Sequence, residues 1–371
     1  GRAGRGPWWP NDCSKSRRST RLVRDGGGIG MTTFTYEGTE NQMRWDRRSK
    51  GFMEVWYATL NHRASGSGVW LRYTLTAPDE GHGDPYCELW GFFFDPEGKH
   101  TYAAKQRFPI DQLGAPNGRD DGALVRIRDS WLSENHLEGS LDRDGTSLRW
   151  SLDLEPADRC YQHLPSQIRN RIQDRVSTVC SPNLSVPFTG TVEVGDRVYE
   201  FSGDPGCQSH RWGRRHSQTW SWGHCTGFEE DPSALFEGVA ARANLGPLPG
   251  PTMTFIYLQY EGRELAFNDL KWAIRAKSRY EMPTWAFTAR NEDWKIAGAA
   301  RAKLDRLLQV EYADPDGSPR FCANSEIADL AIEIYGREST GWRHRGSLTA
   351  LGTAHVEFGR VQPFPELPVS F

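Results

Sequence analysis

The sequence predicts an all-β fold of two tandem antiparallel barrels, formed by duplication of one unit. Three observations predict it. The chain has 371 residues, more than a single hydrophobic core usually organises. Its 15 Trp and 38 Gly residues fall in short apolar runs and in the turns between them, as is typical of strands. Strand-like runs in the second half also repeat the order of those in the first half.

The first copy contains nine strand-like runs. In chain order these are Phe52–His62, Val69–Thr76, Cys87–Phe94, His100–Phe108, Ala123–Asp129, Glu134–Leu141, Ser147–Leu154, Gly190–Val194 and Arg197–Ser202. Turn residues separate them, as in Asp95–Gly98 and Asp142–Gly145. Helix signals are sparse, and the best of them predicts a polar segment, Leu164–Ser177, that crosses the surface.

The second copy is indicated by four matches at a nearly constant spacing. They are Glu54–Leu60 with Trp220–Thr226, Val69–Leu75 with Leu235–Ala241, Glu88–Phe94 with Met253–Gln259, and Thr189–Val194 with Leu351–Val356. The spacing is 166 residues in the first two matches and falls to 162 in the last, a drift that loop insertions explain. The matches predict a first barrel over residues 31–205 and a second over residues 206–371.

Residues 1–30 are expected to take no part in the fold. They are rich in Arg and Gly, and they lack the continuous apolar stretch of a signal peptide. We expect a flexible arm, or non-native sequence that precedes a natural start at Met31. No run approaches the roughly 18 apolar residues of a membrane-spanning helix, although peripheral membrane contact stays possible.

Charge and cysteine usage narrow the function classes. A net charge of −3 gives no basic field for nucleic acid. The seven cysteines are scattered without a CxxC pair, which favours buried, reduced thiols in a cytoplasmic protein. Phosphate loops, dinucleotide fingerprints, nucleophile elbows and HExxH motifs are missing from the sequence, so no cofactor is expected.

The densest group of chemistry-bearing residues opens the predicted second copy. Strand alternation places Trp220, Trp222 and His224 on one face. Because the spacing of 166 residues is even, the same face of the first copy is expected to carry Glu54 and Trp56. We therefore expect His224 and Glu54 to face inward, one in each barrel lumen.

Such an aromatic wall with a titratable group suits acid catalysis on an apolar substrate. Aromatic rings stabilise cationic carbon centres, and burial raises the pKa of an acid so that it keeps a proton to donate. Together they favour protonation of an alkene, followed by trapping with water or an internal hydroxyl. The same lining suits passive binding of a flat apolar ligand equally well.

Several motifs resemble the superfamily of tocopherol cyclases and carotenoid 1,2-hydratases. They are Trp45-Asp46 with Phe52-Met-Glu54-Val-Trp56-Tyr57, Gly206-x-x-x-His210-x-Trp212-Gly213 with Trp220-x-Trp222, Asn324–Asp329, and Gly352–Glu357. The resemblance covers residues 45–357 and implies two lipocalin-like barrels that hold a ligand in or between them. It also implies hydration or cyclisation of isoprenoids, and relatives include pericyclases that form polyketide rings.

One departure from the resemblance concerns the acid. The hydratases carry a Tyr-x-Asp pair before the His-x-Trp-Gly motif, and Cys207 and Ser209 stand at those positions here. The proton must then come from another group. The candidate catalytic residues are His210, His224, Glu54 and Glu237.

Each candidate also has a structural interpretation. His210, in a predicted Gly-rich turn, is either a general acid or a donor to buried backbone carbonyls at a domain junction. Glu54 is either a functional acid or the partner of an arginine, because an unpaired buried carboxylate is costly. A zinc site is not expected, because the His and Cys spacing matches no compact ligand pattern. His355 and Glu357 are expected to pair on a sheet edge.

The predicted function is a cofactor-free enzyme that cyclises or hydrates an isoprenoid or polyene in an aromatic pocket. The candidate substrate-binding residues are Trp56, Tyr57, Trp90, Trp212, Trp220, Trp222, Tyr257, Arg215 and Asn324. A non-catalytic carrier of a lipophilic molecule needs the same lining without the acid. A pericyclase, similar to a Diels–Alderase, needs a shaped pocket and a hydrogen-bond donor. Glycan binding is a fourth alternative, and it requires that the aromatic rings be exposed to solvent.

Overall fold

The computed structural model describes residues 33–35, 37–114, 122–165, 177–245 and 248–371. The predicted arm over residues 1–30 and most of the predicted segment Leu164–Ser177 lie outside these ranges. In the described part, no helix is long and apolar enough to cross a membrane.

Two antiparallel sheets make up nearly all of the described chain, which confirms the predicted all-β fold. The first sheet contains β1 (Phe34–Thr35), β2 (Phe52–His62), β3 (Ser67–Ala77), β4 (Tyr86–Phe94), β5 (Tyr102–Pro109), β6 (Val125–Ile127), β7 (Ser130–Leu132), β8 (His136–Arg143), β9 (Thr146–Leu154), β10 (Cys160–Gln162), β11 (Thr178–Val194) and β12 (Arg197–Gly213). The second contains β13 (Thr219–Cys225), β14 (Leu235–Leu245), β15 (Leu248–Tyr260), β16 (Arg263–Ala266), β17 (Lys277–Glu281), β18 (Thr284–Arg290), β19 (Trp294–Arg301), β20 (Leu308–Ala313), β21 (Pro319–Glu338) and β22 (Gly341–Arg360). The short helices are α1 (Leu270–Ala273) and the 3₁₀ turns Ile110–Gln112 and Leu304–Arg306.

The strand orders of the two sheets correspond. The first sheet runs β5-β4-β3-β2-β12-β11-β9-β8-β7-β6, and the second runs β16-β15-β14-β13-β22-β21-β19-β18-β17. The hairpin β2–β3 corresponds to β13–β14 with the same ladder register at a spacing of 166 residues, since Trp56 pairs with Tyr73 and Trp222 pairs with Val239. The duplication that the sequence predicts is thus visible in the topology.

Three details of the predicted organisation differ from the structure. Thr189–Val194 lies in β11, whose counterpart is β21, whereas Leu351–Val356 lies in β22, so the last of the four matches pairs different strands. His210 lies inside strand β12 rather than in a turn. The predicted boundary at residue 205 also falls within β12, and the change of sheet comes later, between Gly213 and Thr219.

Each sheet surrounds its own apolar core. The first core contains Trp56, Tyr73 and Trp150 among many aliphatic side chains. The second is built around Phe236 and Trp285. The six described cysteines are free and buried, as expected, and they are Cys87, Cys160, Cys180, Cys207, Cys225 and Cys322.

A third apolar layer lies where the barrels meet. Trp70 and Trp90 of the first barrel pack there with Trp222 and Tyr312 of the second. All eleven residues of β3 are buried, because one face of the strand lines the first lumen and the other contacts the second barrel. We call this layer, between the outer faces of the two barrels, the inter-barrel layer.

The two copies turn opposite faces inward at the predicted spacing. Trp56 points into the first core, but Trp222, which lies 166 residues later, points into the inter-barrel layer. In β13 the neighbouring Gly223 faces the second lumen, since a Cβ there would lie 3.1 Å from the Trp285 ring. The expectation that His224 faces the second lumen was therefore wrong, because the even spacing preserves ladder register but not the buried side.

Close packing in the first core leaves no space for a side chain at Gly139. A Cβ at this position would lie 2.1 Å from the ring of Trp150, whose Nε1 donates to Tyr73 Oη at 2.8 Å. We expect Gly139→Ala to lower the free energy of unfolding by about 1–3 kcal/mol, because the indole must move. Urea denaturation checks this, with Ser140→Ala on the exposed face as the control. Equal midpoints for the two variants would contradict the packing.

Candidate functional site

The four predicted catalytic residues form two buried histidine–glutamate pairs, and the first lies in the first barrel. His210 Nε2 is 2.8 Å from Glu54 Oε1, and both side chains are fully buried. His210 Nδ1 donates to the backbone oxygen of Glu40, and the Glu54 carboxylate accepts the backbone N–H groups of Arg44 and Trp45. No arginine partner is needed for Glu54. Because both ring nitrogens and both carboxylate oxygens have partners, this pair anchors the segment before β2.

The second pair lies in the inter-barrel layer. His224 Nδ1 donates to Glu237 Oε2 at 2.9 Å. Glu237 Oε1 also accepts hydrogen bonds from His163 Nε2 at 2.7 Å and from Trp222 Nε1 at 2.6 Å. Burial acts to raise the pKa of Glu237, but the bonds from the two imidazoles outweigh it and hold the pKa at about 2. Glu237 is therefore a carboxylate at neutral pH.

His224 keeps one ring nitrogen unused. Its Nε2 is buried and has no hydrogen-bond partner among the described residues. Because Nδ1 is fixed on the Glu237 carboxylate, both the tautomer and the ring orientation are set. An imidazole held in this way is able to accept or deliver a proton at Nε2. Tyr257, Glu237, His224 and His355 form one cross-strand row on the second sheet.

Glu326 is a buried acid beside this row, and it was not among the predicted site residues. Burial raises the pKa of Glu326 well above its ordinary value, because it disfavours the charged carboxylate. Glu326 Oε2 lies 3.2 Å from His355 Nδ1, and Asn324 donates to Oε1 at 3.0 Å. Burial, aided by the charge of His224, lowers the pKa of His355 well below its ordinary value. The available signal was its place two residues after the predicted Asn324, within the segment Asn324–Asp329 that carries the family resemblance.

The raised pKa of Glu326 predicts a pH-dependent stability. Its pKa is raised in the folded protein, so the unfolded chain releases the proton first as the pH rises above about 4.5. The free energy of unfolding then falls with pH, by up to about 1.4 kcal/mol per unit, until the folded pKa is reached. Glu326→Gln removes this titration, so its stability relative to the wild type should increase as the pH is raised through the range above about 4.5. Chemical denaturation at several pH values checks this, and a constant difference across that range would contradict it.

Aromatic rings surround the row from both barrels. Tyr57 packs edge-on against Trp222, with ring centroids 6.4 Å apart, and burial raises its pKa well above its ordinary value. Trp220 Nε1 donates to Glu357 Oε2 at 3.0 Å, and burial raises the pKa of Glu357 as well. The expected edge pair of His355 and Glu357 is wrong, because β22 lies between β13 and β21 and is not an edge strand.

The remaining predicted substrate-binding residues are dispersed. Trp56 stacks on His210 in the first barrel, with ring centroids 4.7 Å apart. Trp212 packs with two buried cysteines at the end of β12. Tyr257 lies in the inter-barrel layer beside Tyr161. Asn324 is buried next to Glu326, as described above.

Two further predicted residues lie towards the far end of the same layer. Trp90 lines a cavity there, whereas Arg215 is half-exposed and lies 3.9 Å from Asp316. Neither residue contacts the row around His224 through a described hydrogen bond. Within the described ranges, no group of three His, Cys, Asp or Glu side chains has an arrangement that would hold a metal ion.

Comparisons with known proteins address the family and the fold. Residues 184–360 match the family described as tocopherol cyclase-like. The uncharacterized protein Rv0493c of Mycobacterium tuberculosis is 25% identical over 320 residues, which cover 85% of this chain and 88% of that protein. A Nitrosomonas europaea protein designated AttH has a TM-score of 0.52 at 11% identity, over 84% of this chain and 93% of that one, and shares the fold. Kievitone hydratase from Nectria haematococca has a TM-score of 0.48 at 8% identity, over 88% of this chain and 92% of that one.

The family match covers β12 with its His210-x-Trp212-Gly213 motif, the strand β13 with Trp220 and Trp222, and all of β21 and β22. These are the segments that supply both histidines of the sequence prediction and Glu326. The predicted resemblance is thereby confirmed by the match of residues 184–360 to the tocopherol cyclase-like family.

Proposed function

We propose that this protein is a cofactor-free enzyme of the cyclase or hydratase kind, and that it acts on a hydrophobic isoprenoid or polyene in the inter-barrel layer. The family match supports an enzyme of this kind. The observation that carries the proposal is the buried, unpartnered Nε2 of His224, whose other nitrogen is held by the Glu237 carboxylate.

The proposed reaction begins with proton transfer from His224 Nε2 to one carbon of a substrate double bond. The other carbon becomes cationic, and the imidazole becomes neutral. An internal hydroxyl or a water oxygen then forms a bond to the cation and loses its proton, which returns to Nε2. Cyclisation leaves the atomic composition unchanged, and hydration adds one water. Glu237 remains ionised throughout and stabilises the imidazolium that starts the cycle.

The surrounding side chains suit such a reaction. Trp222 and Tyr57 present aromatic rings, which stabilise a developing cation through their electron-rich faces. Burial favours the protonated form of Glu326, whose Oε2 lies 3.2 Å from His355 Nδ1, so Glu326 is a second candidate donor beside the row. Burial of the row excludes bulk water, so that a cation has time to cyclise before it is hydrated.

Solvent isotope incorporation tests the proposal. Purified protein is incubated in D₂O with a panel of prenylated hydroquinones and linear polyenes, and products are analysed by mass spectrometry. Acid catalysis should place one deuterium on carbon in each cyclised or hydrated product. Native mass spectrometry of the freshly purified protein identifies any lipid that co-purifies, and that lipid is added to the panel.

Three outcomes separate the alternatives. Deuterium on carbon, lost in His224→Asn, supports the proposal. A cyclised product without deuterium would instead indicate a pericyclase, which needs no protonation of carbon. Tight binding of a panel member or of the co-purified lipid, with no turnover, would indicate a carrier.

A further inference from the structure

A cavity of about 270 Å³ opens at the other end of the inter-barrel layer. Its floor is the outer face of β2, β3 and β4, and its opposite wall comes from residues 311–313 of β20. Aromatic side chains form much of the lining, among them Trp90, Tyr312 and Phe371. His216 also lines it, and burial lowers the pKa of this imidazole to about 4, so it is neutral near pH 7.

Arg72 is the central polar group of this cavity. It is 94% buried, and its guanidinium lies 4.7–4.8 Å from the rings of Trp70, Trp90 and Tyr312. Its Nε and Nη1 atoms have no hydrogen-bond partner, and it forms no ion pair with any residue in the described ranges. A buried guanidinium without an acceptor is costly, so the three rings alone do not satisfy it.

Lys105 adds a second unpaired cation. Its Nζ lies 4.5 Å from the Trp90 ring and 5.2 Å from the Phe371 ring, again without an ion pair within the described part of the chain. The third cation, Arg107, is already neutralised by Glu88 at 2.8 Å.

The acidic side chains around the cavity form no ion pair with Arg72 or Lys105 within the described part of the chain. Glu88 is committed to Arg107 and to Trp90 Nε1, at 3.1 Å. Glu311 lines the cavity but is exposed and makes no ion pair within the described residues. Glu357, behind Trp220, has a pKa that burial raises, and its Oε2 accepts a hydrogen bond from Trp220 Nε1.

We infer that this cavity is a binding site for a small carboxylate with an apolar, flat body. The carboxylate would accept hydrogen bonds from Arg72 and a charge contact from Lys105, supplying the acceptor that the buried guanidinium lacks. The apolar body would pack on Trp90, Tyr312 and Phe371. The inference does not depend on proton transfer at His224, which does not line this cavity.

Matched probes test the site by isothermal titration calorimetry on the full chain. Cinnamate should bind, and cinnamamide, which has the same shape without the charge, should bind at least about tenfold more weakly. Inorganic phosphate should bind weakly, because it gains nothing from the aromatic walls. If phosphate binds as tightly as cinnamate, or cinnamamide binds as tightly as cinnamate, the inference is overturned.

Variants locate the binding. Lys105→Gln should weaken cinnamate binding by about tenfold, and Arg72→Lys should weaken it further, because it keeps the charge but loses the planar fork. Lys295→Gln is the matched control, since Lys295 also stacks on an aromatic ring, that of Tyr335, in the second barrel. His224→Asn should leave cinnamate binding unchanged, which separates this site from the proposed catalytic row. Unchanged affinity in Lys105→Gln and Arg72→Lys, with both proteins folded, would refute the inference.

Discussion

His224→Asn should lower the turnover number by about 10²–10⁴-fold, the usual contribution of a general acid or base, while the protein stays folded. Asparagine is chosen because its amide N–H₂ is able to replace Nδ1 as a donor to Glu237, so that the carboxylate keeps its partner. Only the free Nε2 is lost. Initial rates on the substrate found in the isotope experiment measure the effect.

A matched control for this variant exists in the same barrel. His344 lies 2.6 Å from Glu333, and both side chains are half-exposed, so His344→Asn changes a histidine–glutamate pair that solvent reaches. It should retain wild-type turnover. If His224→Asn also turns over normally, the proton comes from another group, and Glu326 is the next candidate because burial raises its pKa and so favours its protonated form.

Glu237→Gln should cause the largest loss of stability, about 3–5 kcal/mol, because removing one member of a buried charged pair leaves the other uncompensated. Glu237 is 1% exposed and accepts from His163, His224 and Trp222. In glutamine an NH₂ group replaces one of the two acceptor oxygens. This donor then lies against N–H groups that the carboxylate accepts from in the wild type. Urea denaturation at neutral pH measures the change.

The Glu237→Gln prediction has a matched control at an exposed carboxylate and a pH dependence of its own. Glu333→Gln makes the same chemical change at an exposed pair and should cost less than about 1 kcal/mol. Because the pKa of Glu237 is lowered to about 2, its contribution is complete above about 4.5 and is lost as the pH falls towards 2. Similar losses of unfolding free energy in Glu237→Gln and Glu333→Gln would contradict the prediction.

The fold was predictable because turns and strand runs leave strong local signals. The order of β2, β3 and β4 and its repetition in β13, β14 and β15 could be read from Trp- and Phe-rich runs at a fixed spacing. The inward face could not, because alternation of polar and apolar residues is missing where both faces are buried. In β3 every residue is buried, so nothing in its pattern separates the lumen side from the inter-barrel side.

Most residues of the candidate site could be predicted individually from the sequence, but most of the contacts between them could not. His224 and Glu237 are thirteen residues apart on adjacent strands, and the hairpin register that joins them follows from the sequence match. His163 reaches Glu237 from 74 residues away, and its own segment carried no strand signal. Glu326 on β21 contacts His355 on β22 at a bulge in the ladder between these two long strands. A bulge shifts the pairing register, and the alternation of polar and apolar residues in the sequence does not reveal the shift.

The inter-barrel layer also determines how the molecule unfolds. His163 of the first barrel satisfies Glu237 of the second, and Asn61 bonds both the Glu326 backbone oxygen and His355. If one barrel opened alone, it would leave these buried groups of the other without partners, which is costly. The two barrels should therefore melt in a single cooperative transition, so that the duplicated chain, two domains in topology, behaves as one thermodynamic unit.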